Sequence, residues 1–177
     1  MLPGTELNKP QINIDEFLEK CISFLNEIGI ETRFEKLDEP CFLPGLSIKE
    51  GAVIIDRQAL VYPGDILHEA GHVAVVPAAE RPGLNASAIE NRPMRAAEEM
   101  MAIAWSYAVC RHLDLDPYFV FHDEGYKGGG SYIADCFNDK QYFGLPMLQW
   151  KGMAVDEKRA AELQVKPYPF MLKWVLD

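Results

Sequence analysis

Residues 63–77 read PGDILHEAGHVAVVP, and the rest of the chain can be interpreted outward from this stretch. Proline and an acidic residue are favoured in the first turn of an α-helix, and Pro63 and Asp65 stand at its start. Small and apolar residues follow, interrupted only by two histidines and one glutamate, until Pro77 ends the run. The stretch therefore predicts a largely buried helix that begins near Pro63 and ends at about Val76.

The two histidines, His68 and His72, are four residues apart, and Glu69 follows the first of them. Residues at this spacing lie on one face of a helix, about 6 Å apart along its axis, so both imidazoles can bind one metal ion. Such an H-E-x-x-H sequence is typical of zinc sites, with the glutamate beside the ion. The chain has only four histidines, so chance rarely produces this spacing on a predicted helix. The alternative is a pair of surface histidines.

A third metal ligand has to come from elsewhere, because a catalytic zinc ion usually has three protein ligands and one water. The three-histidine arrangement of the metzincins is excluded, since Ala78 stands where the third histidine would be. A carboxylate is therefore expected. Glu98 and Glu99 lie in the next predicted helix, where an unpaired buried charge would be expensive. Glu90 is a weaker candidate, because it lies in the preceding loop and a helix holds a ligand more rigidly. From the residues alone, Glu98 and Glu99 both stay open.

Five helices and two or three short antiparallel strands are predicted along the chain from apolar periodicity and turn residues. The predicted helices are Asn13–Ile28, 63–76, Met94–Leu113, Tyr132–Asp139 and Asp156–Gln164, and the strand segments are Thr32–Leu37, Phe42–Ile48 and Ala52–Ile55. The stretch from Ala78 to Pro93 is rich in proline, glycine and asparagine and predicts a loop. Four glycines between Gly125 and Gly130 predict a second, mobile loop, with a hinged lid as the alternative.

Length and composition predict one domain. With 177 residues and 49% hydrophobic content, the chain can form one core but is too short for two ordinary domains. We expect a single α+β domain over residues 1–177, in which 13–113 form a metal-binding core and 114–177 a mixed C-terminal extension.

Charge and hydropathy argue against several classes of partner. The formal net charge is −10, from 27 acidic and 17 basic residues, and no dense basic cluster suggests a nucleic-acid surface. Residues 1–13 lack the basic start and apolar run of a signal peptide, and no stretch approaches the length of a membrane span. The four cysteines show no C-x-x-C spacing and are expected to be reduced thiols. These observations predict a cytoplasmic protein without a membrane span.

The order of elements, from the first helix through short strands to the histidine helix and a glutamate-bearing helix, resembles the ImmA/IrrE-type zinc metallopeptidases. In that family a glutamate precedes an alanine by three positions and an aromatic residue by six. Glu99, Ala102 and Trp105 match this spacing, whereas Glu98 would place Met101 and Ala104 there. The resemblance covers about residues 15–113. It implies a zincin-like fold and Glu99, rather than Glu98, as the third ligand.

The chain also departs from that family's pattern. Ile103 stands where the family often has asparagine, Ala70 replaces its common leucine, and residues 114–177 match no part of the pattern. The FtsH-type peptidases share the His-Glu-Ala-Gly-His sequence, but this chain shows no ATPase module or second shared motif. Thermolysin-like enzymes have an acidic residue four positions after the third ligand. In this chain the residue four positions after Glu99 is Ile103, so that acidic residue is missing.

The motif and the resemblance together predict a zinc-dependent hydrolase, a metallopeptidase that acts on a peptide or protein substrate. Zn²⁺ held by His68, His72 and Glu99 would lower the pKa of a bound water, and Glu69 would act as the general base. Three other classes compete with this prediction: a hydrolase for another substrate, a non-catalytic zinc-stabilised interaction or regulatory domain, and a metal-free packing domain. No oligomeric state is predicted.

Ring-bearing residues beside the glycine-rich loop are candidates for stabilising negative charge during hydrolysis, although packing is the more ordinary role for each. They are His122, Tyr126 and Tyr132. Asp65 lies one turn before His68, where it could orient that imidazole or serve as a helix-start residue.

Overall fold

A computed structural model describes residues 14–38 and 41–177 as three strands, eight α-helices and two short 3₁₀ turns. In chain order the elements are α1 (Ile14–Glu27), β1 (Thr32–Phe34), β2 (Leu46–Lys49), β3 (Ala52–Ile55), α2 (Asp65–Ala74), α3 (Ala86–Glu90), α4 (Arg95–Leu113), α5 (Pro117–Val120), α6 (Gly130–Asn138), α7 (Leu145–Trp150) and α8 (Glu157–Leu163). The 3₁₀ turns span Arg81–Gly83 and Tyr126–Gly128. The fold is therefore of the α+β class, as the sequence predicts.

The three strands form one mixed sheet in the order β1-β3-β2. Strands β2 and β3 pair as an antiparallel hairpin, with Ile48 opposite Val53. Strand β1 runs parallel to β3, with Arg33 opposite Ile54. The expectation of a purely antiparallel sheet is wrong for β1, because the chain crosses after β1 to the far edge of the sheet before it begins β2. This leaves β1 beside β3, which runs in the same direction.

Helix α4 is the centre of the core. Every residue from Met101 to Cys110 is buried, which explains why the sequence is apolar on all sides of this helix. Helix α2 contacts α4 as well as strands β2 and β3. The Ser106 hydroxyl of α4 donates a hydrogen bond to the Ala102 carbonyl at 2.7 Å and lies 3.2 Å from the Leu67 carbonyl of α2. This packing places the histidine helix between the sheet and the central helix.

Residues 114–177 pack into the same hydrophobic core, which extends from Phe17 to Leu176. Two side chains of this region and of α4 form hydrogen bonds across the contact: the Trp105 indole donates to the Trp174 carbonyl at 2.7 Å, and the Tyr168 hydroxyl donates to the Ala104 carbonyl at 2.8 Å. The backbone amide of Leu176 donates to the Ala74 carbonyl at the end of α2 at 2.9 Å. The C-terminal segment thus holds the end of the histidine helix.

The helices predicted from the sequence, namely α1, α2, α4, α6 and α8, are confirmed to within two residues at the ends that the structure describes. Asn13, where the first helix is predicted to begin, lies outside the described residues. The predicted loop over 78–93 instead contains α3 and a 3₁₀ turn, and Asn85 caps α3 by accepting a hydrogen bond from the Ala88 amide. The short helices α5 and α7 were not predicted, because four to six residues carry too little periodicity. Among the described residues, no helix has the length and apolarity to cross a membrane.

Replacing Gly71 with alanine should loosen the contact between α2 and α4. An added Cβ would come within 2.9 Å of the Ala102 carbonyl oxygen and 3.1 Å of the Ala102 Cβ, and a helix backbone cannot move aside alone. We expect Gly71→Ala to lower the free energy of unfolding by about 1–3 kcal/mol, although alanine favours a helix. Urea denaturation followed by circular dichroism measures this change. Gly83→Ala is the matched control, since nothing lies within 4 Å of a Cβ at that position, and equal stability of the two variants would contradict the packing argument.

Candidate metal centre

Helix α2 presents His68 and His72 on the face that looks toward α4. Both side chains are buried, at 9% and 7% exposure, and their rings meet edge to face with centroids 4.7 Å apart. The two Nε2 atoms are 3.2 Å apart. The spacing of four residues places the two rings side by side on the helix. Both Nε2 atoms lie on the side that faces α4.

Glu99 of α4 completes a cluster of three side chains. Its Oε1 lies 3.4 Å from Nε2 of His68, and its Oε2 lies 3.3 Å from Nε2 of His72. The close packing of Gly71 against Ala102, three residues after Glu99, sets this separation. Among the described residues, these three side chains form a group that can hold a metal ion, with all ligand atoms within 4.8 Å of one another.

The separations match the dimensions of a small tetrahedral ion. Bonds of about 2.0–2.2 Å to nitrogen and oxygen place the ligand atoms of such an ion roughly 3.3–3.6 Å apart. The two Nε2 atoms are 3.2 Å apart, and each lies 3.3–3.4 Å from a different oxygen of the Glu99 carboxylate. The residues therefore fit a transition-metal ion with three protein ligands.

Two glutamates considered from the sequence lie outside the cluster. Glu98 is buried, and its Oε2 accepts a hydrogen bond from Nε of Arg92 at 2.6 Å. Glu90 pairs with Arg95 at 3.1 Å. The argument that a buried charge in α4 needs a partner holds for Glu98 as well, but its partner is a guanidinium group, so Glu98 is not part of the metal group.

Glu69 lies beside the cluster and is not a member of it. Its side chain is partly exposed, whereas both flanking histidines are buried. Burial raises the pKa of Glu69, and the negative charges of Asp65 and Glu99 raise it further. The charge of His72 acts in the opposite direction but is outweighed. A carboxylate with a raised pKa, next to an ion-binding site, suits a group that takes up and releases a proton.

The two histidines differ electrostatically. Burial and the neighbouring His72 lower the pKa of His68 to about 3. Burial also acts to lower the pKa of His72, but its hydrogen bond with Glu99 and the charges of Glu69 and Glu99 outweigh burial and raise it. The pKa of Glu99 is lowered to about 2, because both histidines and Arg95 overcome the effect of its burial. Without a metal ion, His72 is therefore the histidine of the cluster that holds a proton more tightly.

Asp65 pairs with His122, and not with His68 as one prediction allowed. The Oδ1 atom of Asp65 lies 2.9 Å from Nε2 of His122, and Tyr62 stacks on the His122 ring at 4.1 Å. Within the described chain, Nδ1 of His68 is buried without a hydrogen-bond partner. The partner of Asp65 comes from the α5–α6 connection rather than from the next turn of α2, and no local sequence pattern could have revealed this.

Of the three ring-bearing candidates, Tyr126 contacts the metal cluster. Its ring meets that of His68 edge to face with centroids 5.4 Å apart, and its hydroxyl oxygen is buried. Tyr132, in contrast, is 70% exposed. His122 contacts Asp65, at the start of α2.

Arg95 was not singled out from the sequence, although it precedes Glu99 by one helical turn. Its charge lowers the pKa of both Glu99 and His72. The signal that could have revealed it is the spacing of four residues to a candidate ligand, because residues at i and i+4 are neighbours on a helix.

Metal content should depend on Glu99 and not on Glu98. We expect Glu99→Gln to weaken binding of Zn²⁺ by about 10-fold or more, since it replaces an anionic ligand with a neutral amide. Glu98→Gln is the matched control one residue away, and it should keep the metal while losing its ion pair with Arg92. Titration against a chromogenic chelator measures both affinities. Equal loss in the two variants would contradict the assignment of Glu99.

Zinc affinity should fall as the pH is lowered through the raised pKa of His72. The metal binds the neutral imidazole, so below this pKa the apparent affinity drops about tenfold per pH unit as a proton competes. His68 and Glu99 need not lose a proton in this range, because their pKa values are about 3 and about 2. Calorimetry in two buffers of different ionisation enthalpy should show about one proton released per zinc ion near pH 6. Release of no proton would contradict the charged state of His72.

The chain was also compared with known proteins. It matches no protein-family model, no curated protein and no solved structure. The functional interpretation therefore depends on the site itself: three converging ligand atoms, a carboxylate beside them that is not a ligand, and a tyrosine against one histidine.

Proposed function

We propose that this protein is a zinc-dependent hydrolase, most specifically a metallopeptidase, with His68, His72 and Glu99 as zinc ligands and Glu69 as the general base. The observation that carries the proposal is the convergence of two Nε2 atoms, 3.2 Å apart, on the Glu99 carboxylate, whose two oxygens each lie 3.3–3.4 Å from one of them, beside Glu69. A purely structural arrangement of these helices would need neither the convergence nor a second carboxylate beside it.

The donor set favours zinc. Magnesium and calcium prefer all-oxygen ligands, whereas two imidazoles and one carboxylate suit a first-row transition metal. Structural zinc sites usually have four cysteine or histidine ligands, but the group found in the described residues has three members. Three protein ligands are typical of catalytic zinc, in which the fourth position is taken by water or substrate.

When bound, zinc would supply a Lewis acid that lowers the pKa of water and polarises a carbonyl group. Glu69 takes the proton of the attacking water, a C–O bond forms at the carbonyl carbon, the C–N bond breaks, and Glu69 returns the proton to the leaving amine. Glu69 suits both steps, because burial raises its pKa and so makes the carboxylate a better proton acceptor. Arg95 and the two histidines keep Glu99 ionised as a ligand.

An extended peptide is the substrate class that fits the surroundings of the site. Strand β2 is at one edge of the sheet, and α2, which carries both histidines, contacts it. An edge strand can pair with an added peptide through backbone hydrogen bonds, which is tolerant of sequence. The short bridge between Lys49 and Asn85 occupies one end of β2. We propose that a peptide adds along the rest of this edge and passes across the ligand cluster.

The same arrangement supports a zincin-like fold of the ImmA/IrrE type. The order of α1, a small sheet, the histidine helix and a glutamate-bearing helix matches the pattern that suggested this family. Glu99, the residue chosen by that resemblance, is also the glutamate that faces both histidines. The relationship is a proposal that these features support.

Glu69→Gln should abolish hydrolysis without removing the metal. The change keeps the size of the side chain but removes the proton acceptor, so we expect activity to fall at least about 100-fold. Zinc-loaded protein is incubated with denatured casein, new peptide termini are detected by mass spectrometry, and zinc content is measured by elemental analysis. Glu19→Gln, at an exposed position of α1, is the control.

The outcomes separate the competing classes. Cleavage by wild type that is lost in Glu69→Gln at equal zinc content supports the peptidase. Full activity in Glu69→Gln would show that Glu69 is not the base. Zinc binding that stabilises the fold, without cleavage of any peptide in either protein, would instead favour the zinc-stabilised interaction domain.

A further inference from the structure

The Tyr126 hydroxyl is a buried polar group that nothing in the described part of the chain satisfies. Its oxygen is inaccessible to solvent and has no hydrogen-bond partner. The Tyr126 ring contacts His68 at 5.4 Å between centroids, and Phe121 at 5.5 Å. A buried hydroxyl without a partner destabilises a fold, and phenylalanine would pack in the same place without that penalty. The hydroxyl therefore points to a ligand.

The ring contact with His68 places the Tyr126 side chain beside the metal site. Burial raises the pKa of Tyr126 well above its usual value, and the carboxylates of Asp65, Glu99 and Glu69 contribute to the increase. Of these, Glu99 is the proposed ligand and Glu69 the proposed base, and Asp65 pairs with His122. Within the described residues, none of these carboxylates accepts a hydrogen bond from Tyr126, so its hydroxyl is an unused donor on a side chain that contacts His68.

The backbone holds Tyr126 in an unfavourable conformation. Tyr126 and Lys127 have φ angles of 53° and 57°, in the left-handed region that non-glycine residues seldom adopt. Strained backbone of this kind persists where the surrounding structure imposes it, and it is concentrated at functional sites. Glu50, Asp114, Lys140 and Gln164 also have positive φ angles, so this conformation defines the backbone of the loop and does not by itself mark the site.

His122 anchors the loop that carries Tyr126. Its Nδ1 accepts a hydrogen bond from the Gly125 amide at 3.1 Å, and its Nε2 lies 2.9 Å from Asp65, at the start of α2. Gly130 at the end of the loop lies so close to the His122 carbonyl oxygen that a Cβ there would come within 2.1 Å. Tyr126 is therefore tied to the same helix that presents both histidine ligands. His122 itself has no free ring nitrogen, because both are engaged.

We infer that Tyr126 is a further catalytic residue of this site, whose hydroxyl donates a hydrogen bond to the oxygen of the scissile carbonyl as negative charge develops there. His122 and Asp65 act as positioning residues for it. This inference rests on the proposed function, since it assigns the group that stabilises charge during the same hydrolysis. Of the three candidates suggested by the sequence, Tyr132 is too exposed for this role, and His122 has no donor to spare.

The test is Tyr126→Phe, with Tyr132→Phe as the matched control. Phenylalanine keeps the ring contacts with His68 and Phe121 and removes only the hydroxyl. The probe is acetohydroxamate, a small zinc ligand with a carbonyl oxygen, and its binding to zinc-loaded protein is measured by calorimetry. We expect Tyr126→Phe to keep its zinc, to melt at the same or a higher temperature, and to bind acetohydroxamate about tenfold more weakly.

With a casein-derived peptide, kcat should fall about 100-fold with little change in KM. Tyr132→Phe should match wild type.

Failure of the inference and failure of the proposed function give different results. Unchanged acetohydroxamate affinity and kcat in zinc-loaded Tyr126→Phe would overturn the inference and leave the peptidase intact. Loss of zinc or a lower melting temperature in this variant would also overturn it, since the hydroxyl would then be structural. Wild type that binds neither zinc nor acetohydroxamate would overturn the proposed function and the inference with it.

Discussion

Gly71 and Ala102 are in direct contact where α2 crosses α4, and a Cβ at Gly71 would come within 2.9 Å of the Ala102 carbonyl oxygen. The absence of a side chain at Gly71 lets the two helices approach closely. Glu99 lies one turn before Ala102, and the histidines are on either side of Gly71, so this contact determines whether the carboxylate reaches both rings. The geometry of the proposed site is thus a consequence of packing in the core. Ser106 reinforces the contact because its hydroxyl lies between the Ala102 and Leu67 carbonyl oxygens.

The cluster brings together two imidazole nitrogens and one carboxylate, and without a cation these electron-rich atoms repel one another. Two imidazole nitrogens face each other at 3.2 Å, so they need either a proton or a metal ion between them. The pKa of His68 is lowered and that of His72 is raised, with Glu99 as the counter-charge to a proton on His72. A divalent ion would satisfy both nitrogens and the carboxylate at once. The site where α2 and α4 meet therefore favours binding of a cation. Glu69 lies beside this site, and its pKa is raised.

The region after α4 does more than complete the core. Trp174 and Leu176 bind the backbone and side chains of α4 and α2 from one side, while the loop after α5 brings Tyr126 to His68. Asp65 connects this loop to α2 through His122, across 57 residues of sequence. The C-terminal extension and the predicted metal-binding core therefore share one site. A truncated chain that ended at α4 would lack Tyr126 and its anchor.

Local chemistry determined the parts of this protein that the sequence by itself could predict. Helical periodicity identified α1, α2 and α4, and the spacing of four residues placed His68 and His72 on one face, because a helix fixes its neighbours over one turn. The choice between Glu98 and Glu99 could not come from composition, since adjacent residues on a helix differ only in direction. Tertiary structure decided it by setting Arg92 beside Glu98 and the histidines beside Glu99. The parallel pairing of β1 and the anchoring of Tyr126 likewise depended on contacts between distant segments, which form only when the whole core packs.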